Sequence, residues 1–203
     1  LSEAAAEGYK RYLERVNLYK SFGYDIEVER KFLLDKTEPL YGDILEVGTG
    51  KGYLAIALAK EGHNFISLDI SEEEQEFARL NIRHLELEER VDFRIGNAEN
   101  LSFADKSFDI IISSHVIHHL DSPFIVMNEF ARVISYEGKI ILSDFSKEGI
   151  EIVDKVHQSE YRRHQINPIG LKDIEKYFQQ RGFNTESYQS KFQDVLVAYH
   201  PII

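Results

Sequence analysis

The run Ile44-Leu45-Glu46-Val47-Gly48-Thr49-Gly50-Lys51-Gly52-Tyr53-Leu54 is an apolar strand entering a glycine-rich turn, and Ile56, Leu58 and Ala59 carry it on into an amphipathic helix. Three glycines at alternate positions let backbone come close to a ligand at the amino end of a helix. Such a place suits something flat or carboxylated. Outward from the turn, short apolar runs at 44–47, 65–68, 91–95, 110–112 and 140–142 alternate with amphipathic stretches. This alternation predicts a parallel sheet covered by helices. Residues 1–38 read as helical, with Tyr9, Tyr12, Leu13, Val16 and Tyr19 at one-face spacing and Pro39 closing the segment. Ser71 with Glu74 makes a capping box, and Pro123 after Asp121 and Ser122 opens a further helix. Near the end, a helix over 171–181 stops at Gly182. The strand-like runs 183–188 and 193–199 that follow are joined by so short a turn that they must pair antiparallel.

The chain has 203 residues, a formal charge of −11 and 43% hydrophobic residues, which predicts one well-buried domain. With no Cys, disulfides, Cys-held metals and thiolate nucleophiles are excluded. No apolar run approaches the roughly 20 residues of a membrane span, and the start has no signal-peptide pattern. A cytoplasmic protein is expected. The acidity opposes sequence-independent binding to nucleic acid, so the expected partner is a small molecule.

Two familiar nucleotide loops fail here. A phosphate-binding loop needs Gly five residues before Gly50 and Ser or Thr after Lys51, and the chain has Leu45 and Gly52. A dinucleotide fingerprint needs a third glycine where Tyr53 stands. One strand further on, Asp69 is held at the carboxyl end of the second strand, where an acidic side chain can accept both ribose hydroxyls and repel a 2′-phosphate. Alone, Asp69 reads equally well as a helix-start carboxylate.

The remaining form, Glu-x-Gly-x-Gly-x-Gly over 46–52, resembles the first motif of class I S-adenosylmethionine-dependent methyltransferases. The stretch Arg94-Ile95-Gly96-Asn97-Ala98-Glu99-Asn100-Leu101-Ser102-Phe103 resembles their adenine-binding segment, with Asn97 where most relatives carry Asp. An amide oxygen can still accept a bond from the adenine amine, without charge assistance. The pattern over 96–109 is similar to the small-molecule branch (methyltransferase type 11) that includes quinone-biosynthesis enzymes. The resemblance implies a Rossmann-like α/β sandwich whose seven-stranded sheet, ordered 3-2-1-4-5-7-6 with the last strand antiparallel, has helices on both faces. It also implies a helical lid over 1–40, a cofactor-binding core over 41–145, and lid helices with terminal strands over 146–203. S-adenosylmethionine is the implied methyl donor and S-adenosylhomocysteine the product. Glu46, Gly48, Thr49, Gly50, Gly52, Asp69, Ile70, Asn97, Ala98, Ser113 and Ser114 are the implied cofactor-binding residues.

The acceptor should meet the segment after the fourth strand, Ser113-Ser114-His115-Val116-Ile117-His118-His119-Leu120-Asp121. The Asn/Asp-Pro-Pro-aromatic motif of exocyclic-amine methylases is absent there. His118 or His115 is the candidate general base. His115, His119 and Asp121 could be read as metal ligands, but related enzymes carry His-His-Leu here without one, so no metal is expected. Tyr19, Asp144, His157 and Tyr161 are candidate walls of the acceptor site, and the plainer reading of that stripe is a lid that merely covers the sheet. The expected reaction is methyl transfer to oxygen, nitrogen or carbon of a small metabolite. Its competitors are a non-catalytic module that binds the donor or supports a partner subunit, and a nicotinamide oxidoreductase, which Tyr53 opposes. The oligomeric state is left open.

Overall fold

A computed structural model of the chain describes residues 2–159 and 168–201. The amino-terminal segment is two helices, α1 (Glu3–Ser21) and α2 (Ile26–Thr37), where the sequence had predicted one run. Gly23 at φ +90° turns the chain out of α1. Asp25 then caps α2 by accepting the Glu27 and Val28 N–H groups, and its carboxylate also meets Lys20 at 2.8 Å.

From there strands and helices alternate. They are β1 (Ile44–Val47), α3 (Tyr53–Lys60), β2 (Phe65–Asp69), α4 (Glu72–His84), β3 (Val91–Ile95), β4 (Phe108–Ser114), α5 (Pro123–Val133), β5 (Ile134–Phe145) and α6 (Lys147–Ser159). The chain ends with α7 (Leu171–Gln180) and the hairpin β6 (Asn184–Gln189) and β7 (Gln193–Tyr199). The seven strands form one sheet in the order β3-β2-β1-β4-β5-β7-β6, with β7 antiparallel to both neighbours. The expected topology is therefore the observed one. β4 and β5 are longer than their apolar cores because polar residues continue the pairing, Ser113 against Leu142 and Ser114 against Ser143.

Period-2 alternation divides the core between the two faces. Ile44, Ile110, Ile112, Ile141, Val195 and Val197 face α1, α2, α3 and α6. Leu45, Val47, Leu68, Ile111, Ile140, Leu142 and Leu196 face α5 and α7. Connections leave β1 and β4 in opposite directions along the sheet, and such a switch point opens a crevice at the strands' carboxyl ends.

Candidate active site

The crevice is a hollow of about 710 Å³ bounded by the carboxyl ends of β1, β2, β4 and β5 and roofed by side chains of α1, α2 and α6. Its floor is the glycine turn, with Gly48, Gly50 and Gly52 at φ +90°, +49° and +83°. Each glycine has its own reason. A Cβ on Gly48 would stand 2.2 Å from Cγ2 of Val116, in the loop after β4, and one on Gly52 would stand 2.8 Å from the Cβ of Ala78 on α4. At Gly50 nothing lies within 4 Å, so that side of the turn is open. Gly52, expected to bind cofactor, instead lets α3 start against α4 and does not line the hollow.

Asp69 braces the turn. Its Oδ2 accepts the Gly50 N–H at 2.7 Å and its Oδ1 accepts the Ser71 N–H at 2.9 Å. The expected capping box is consequently half made. Ser71 Oγ accepts the Glu74 N–H, while the Glu74 carboxylate turns to Lys51 at 3.0 Å. Beneath the turn runs a buried chain of hydrogen bonds: Gln75 Nε2 to Thr49 Oγ1 (3.2 Å), Thr49 Oγ1 with Ser67 Oγ (2.6 Å), and Ser67 Oγ donating to Glu46 Oε2 (2.5 Å). Glu46 is 1% exposed. Burial pushes its carboxyl up to about 8, with Asp69 adding to the rise and the Ser67 bond, Arg30 and the Ala55 backbone N–H opposing it. It lies behind the turn rather than along the hollow.

Tyr19, Gly48, Thr49, Gly50, Asp69, Ile70, Asn97, Ala98, Ser114, His115, His118 and His157 all line the hollow. Ile70 is 70% exposed at its rim. Asn97 Oδ1 accepts the Glu99 N–H at 2.9 Å, so its amide is fixed by its own loop. Ser113, expected to bind cofactor, does not line the hollow, because its buried hydroxyl donates to the Val47 carbonyl at 2.8 Å and ties β4 to β1. Asp144, expected to touch the acceptor, lies behind His118 and accepts from it, Nδ1 to Oδ1 at 2.6 Å. Tyr161 lies outside the described residues.

The two histidines sit differently. His115 has φ +59°, and its Nδ1 meets Ser114 Oγ at 2.7 Å while its Nε2 faces the Tyr24 hydroxyl at 3.5 Å. Burial, then the charges of Arg30, His118 and His119, hold its imidazole well below the usual range, so it is neutral. His118, in a 3₁₀ turn over Ile117–His119, is 7% exposed and has a carboxylate partner. His115, His119 and Asp121 do not converge as a ligand set. Among the described residues the one group with three donors mutually within 4.8 Å is Glu38, Glu61 and His63, at the opposite end of the strands.

Sequence reasoning missed Arg30. It is 7% exposed and lines the hollow from α2, and its Nε and Nη1 have no hydrogen-bond partner. Among the described residues no carboxylate forms an ion pair with it. Its signal was present, since Ile26, Arg30, Leu33, Leu34 and Thr37 are buried on α2 at helical spacing. A cation on a buried stripe asks for an anion.

A family model described as "Methyltransferase domain" matches residues 45–142. The chain is 26% identical over 155 residues to 27-O-demethylrifamycin SV methyltransferase of Amycolatopsis mediterranei, covering 74% of this chain and 57% of that one. It is 26% identical over 197 residues to the ubiquinone biosynthesis O-methyltransferase of Pseudomonas aeruginosa, covering 95% and 83%. Several relatives are longer, and the chain spans only 28–57% of the length of four of them. Among solved structures, an S-adenosyl-L-methionine-dependent methyltransferase of Methanococcus maripaludis superposes with a TM-score of 0.71 at 19% identity, covering 100% of this chain and 96% of that one. The glycine turn, the sheet order and the family match over residues 45–142 agree in making this chain similar to the methyltransferase domain family.

Proposed function

We propose that the chain transfers a methyl group from S-adenosylmethionine to a hydroxyl of a small metabolite, with His118 accepting the hydroxyl proton. The observation that carries the donor assignment is the buried guanidinium of Arg30, which lines the hollow beside the Tyr24 hydroxyl and has Nε and Nη1 without hydrogen-bond partners. A free carboxylate completes it, and the methionyl end of the donor has one. Asp69, already holding Gly50, keeps acceptor capacity for ribose hydroxyls. Ala98 and Ile70 offer apolar contact to a base, and Asn97 borders its edge.

The donor supplies an electrophilic methyl group on a sulfonium. The protein aligns the acceptor with that methyl and excludes water, and orientation of this kind supplies roughly 7–11 kcal/mol of a barrier. His118 is the better base of the pair because its Nδ1 is engaged by a carboxylate, whereas His115 is held neutral among like charges.

Titration calorimetry with S-adenosylmethionine tests the reading. The wild-type chain is expected to bind it, and Asp69→Ala to bind at least about tenfold more weakly, as the loss of one charge-assisted contact implies. Incubation with donor and a panel of phenols, alcohols and amines is expected to release S-adenosylhomocysteine with a hydroxyl acceptor. Absence of donor binding by the wild-type chain overturns the assignment.

A further inference from the structure

Asp144 ends β5 facing the turn that carries His118, and its two oxygens take three donors. Oδ1 accepts His118 Nδ1 at 2.6 Å and the Phe145 N–H at 2.9 Å, and Oδ2 accepts the His118 backbone N–H at 3.2 Å. Only a carboxylate accepts all three. A carboxamide turned either way would set its NH₂ against a backbone N–H. A partner that can only accept puts the imidazole proton on Nδ1 and leaves Nε2 as the proton-accepting nitrogen.

The ring so fixed stands at a junction. His118 and Phe145 border the donor hollow and also a second one of about 800 Å³, between the start of α7 and the tips of β5, β6 and β7. Asp144 is unfavourably placed for stability alone, because Asp194 lies directly opposite it in the β5–β7 ladder. Burial first, then Asp144 and Glu148, raise the Asp194 carboxyl, while Gln189 and Lys172 oppose the rise. Among the described residues, the titratable groups beside His118 in its own loop are His115 and His119, of one sign with it when protonated. Among the same residues, Asp144 is the carboxylate seen at hydrogen-bond distance from its ring.

We infer that Asp144 is the positioning residue of His118, fixing its tautomer so that Nε2 accepts the proton a hydroxyl gives up. This rests on the reading of His118 as proton acceptor in methyl transfer. When the acceptor oxygen bonds to the methyl, the sulfur keeps the electron pair of the broken bond. The hydroxyl proton passes to Nε2, and the resulting imidazolium is paired with the Asp144 carboxylate.

Long-range proton–nitrogen spectra of the histidine rings of the full ¹⁵N-labelled chain, with His118→Gln to assign the signal, read this without knowledge of the acceptor. In the wild-type chain His118 is expected as the Nδ1–H tautomer. In Asp144→Ala the Nε2–H tautomer is expected to predominate. Asp144→Glu, which keeps a carboxylate, is expected to restore the Nδ1–H tautomer and guards against a general loss of packing. An unchanged tautomer in Asp144→Ala overturns the positioning role, as does an Nε2–H tautomer that persists in Asp144→Glu. Calorimetry with S-adenosylmethionine on the same samples separates the two levels. Donor binding with an unmoved His118 signal removes only the role of Asp144, whereas absence of donor binding by the wild-type chain removes the methyl-transfer reading and the inference with it.

Discussion

Arg30 reaches the hollow from α2, whose other buried residues are Ile26, Glu29, Leu33, Leu34 and Thr37, and two of its nitrogens lack partners. Burying a cation this way is costly unless a ligand completes it. Arg30→Ala is therefore expected to weaken S-adenosylmethionine binding by about ten- to a hundredfold in calorimetry, the range of a charged hydrogen bond. Arg30→Lys keeps the charge without the planar fork and should fall between. Donor affinity unchanged in Arg30→Ala would remove the carboxylate assignment. At this scale the sequence was legible where the backbone itself makes the demand, as at the three glycines of the turn, all at positive φ. It was less legible where a side chain could serve scaffold or site. Ser113 satisfies a neighbouring strand's carbonyl, and Asp144 addresses His118, since only the assembled sheet decides which way each points.

The elements of the roof are held by close packing. α1 approaches α4 through Gly8, where an added Cβ would stand 3.0 Å from the Cβ of Leu80, and Tyr9 stacks on His84 at 4.3 Å between ring centres. Gly8→Ala should be nearly neutral, because the entropy gained in a helix offsets slight crowding. Gly8→Val drives two methyls into Leu80 and is expected to cost about 1–3 kcal/mol in urea denaturation. Because Arg15 and Tyr19 of the same helix line the hollow, it should lower donor affinity as well. A Gly8→Val chain as stable as wild type would show that α1 can repack. The break between α1 and α2 was present in the sequence as Gly23 followed by Asp25, a helix stop and a helix start in succession. The continuous apolar spacing over 9–19 masked it.

Across the whole molecule, the parallel core was the most legible feature, because a strand buried on both faces must be apolar throughout and a helix laid on it must be apolar on one side. Burial also sets a molecule-wide response to pH. Glu46, under the glycine turn, is raised from an ordinary 4.5 to about 8. Between those values the unfolded chain ionises at this position and the folded chain does not, so stability falls as pH rises. Glu46→Gln retains an oxygen to accept from Ser67 and removes the titration. Its melting temperature is expected to exceed that of wild type by about 2–4 °C at pH 8, the shift that goes with 1 kcal/mol in a chain of this size, and the difference should vanish near pH 4. Superimposable melting curves across that range would place the Glu46 proton elsewhere.

The 2.2 Å that separates an imagined Gly48 methyl from Val116 has a consequence for how a hollow of this kind can diversify. The glycine turn and the loop that carries His115 and His118 share one wall, a single carbon thick. Remodelling the loop therefore shifts the turn too, unless residue 116 keeps its size.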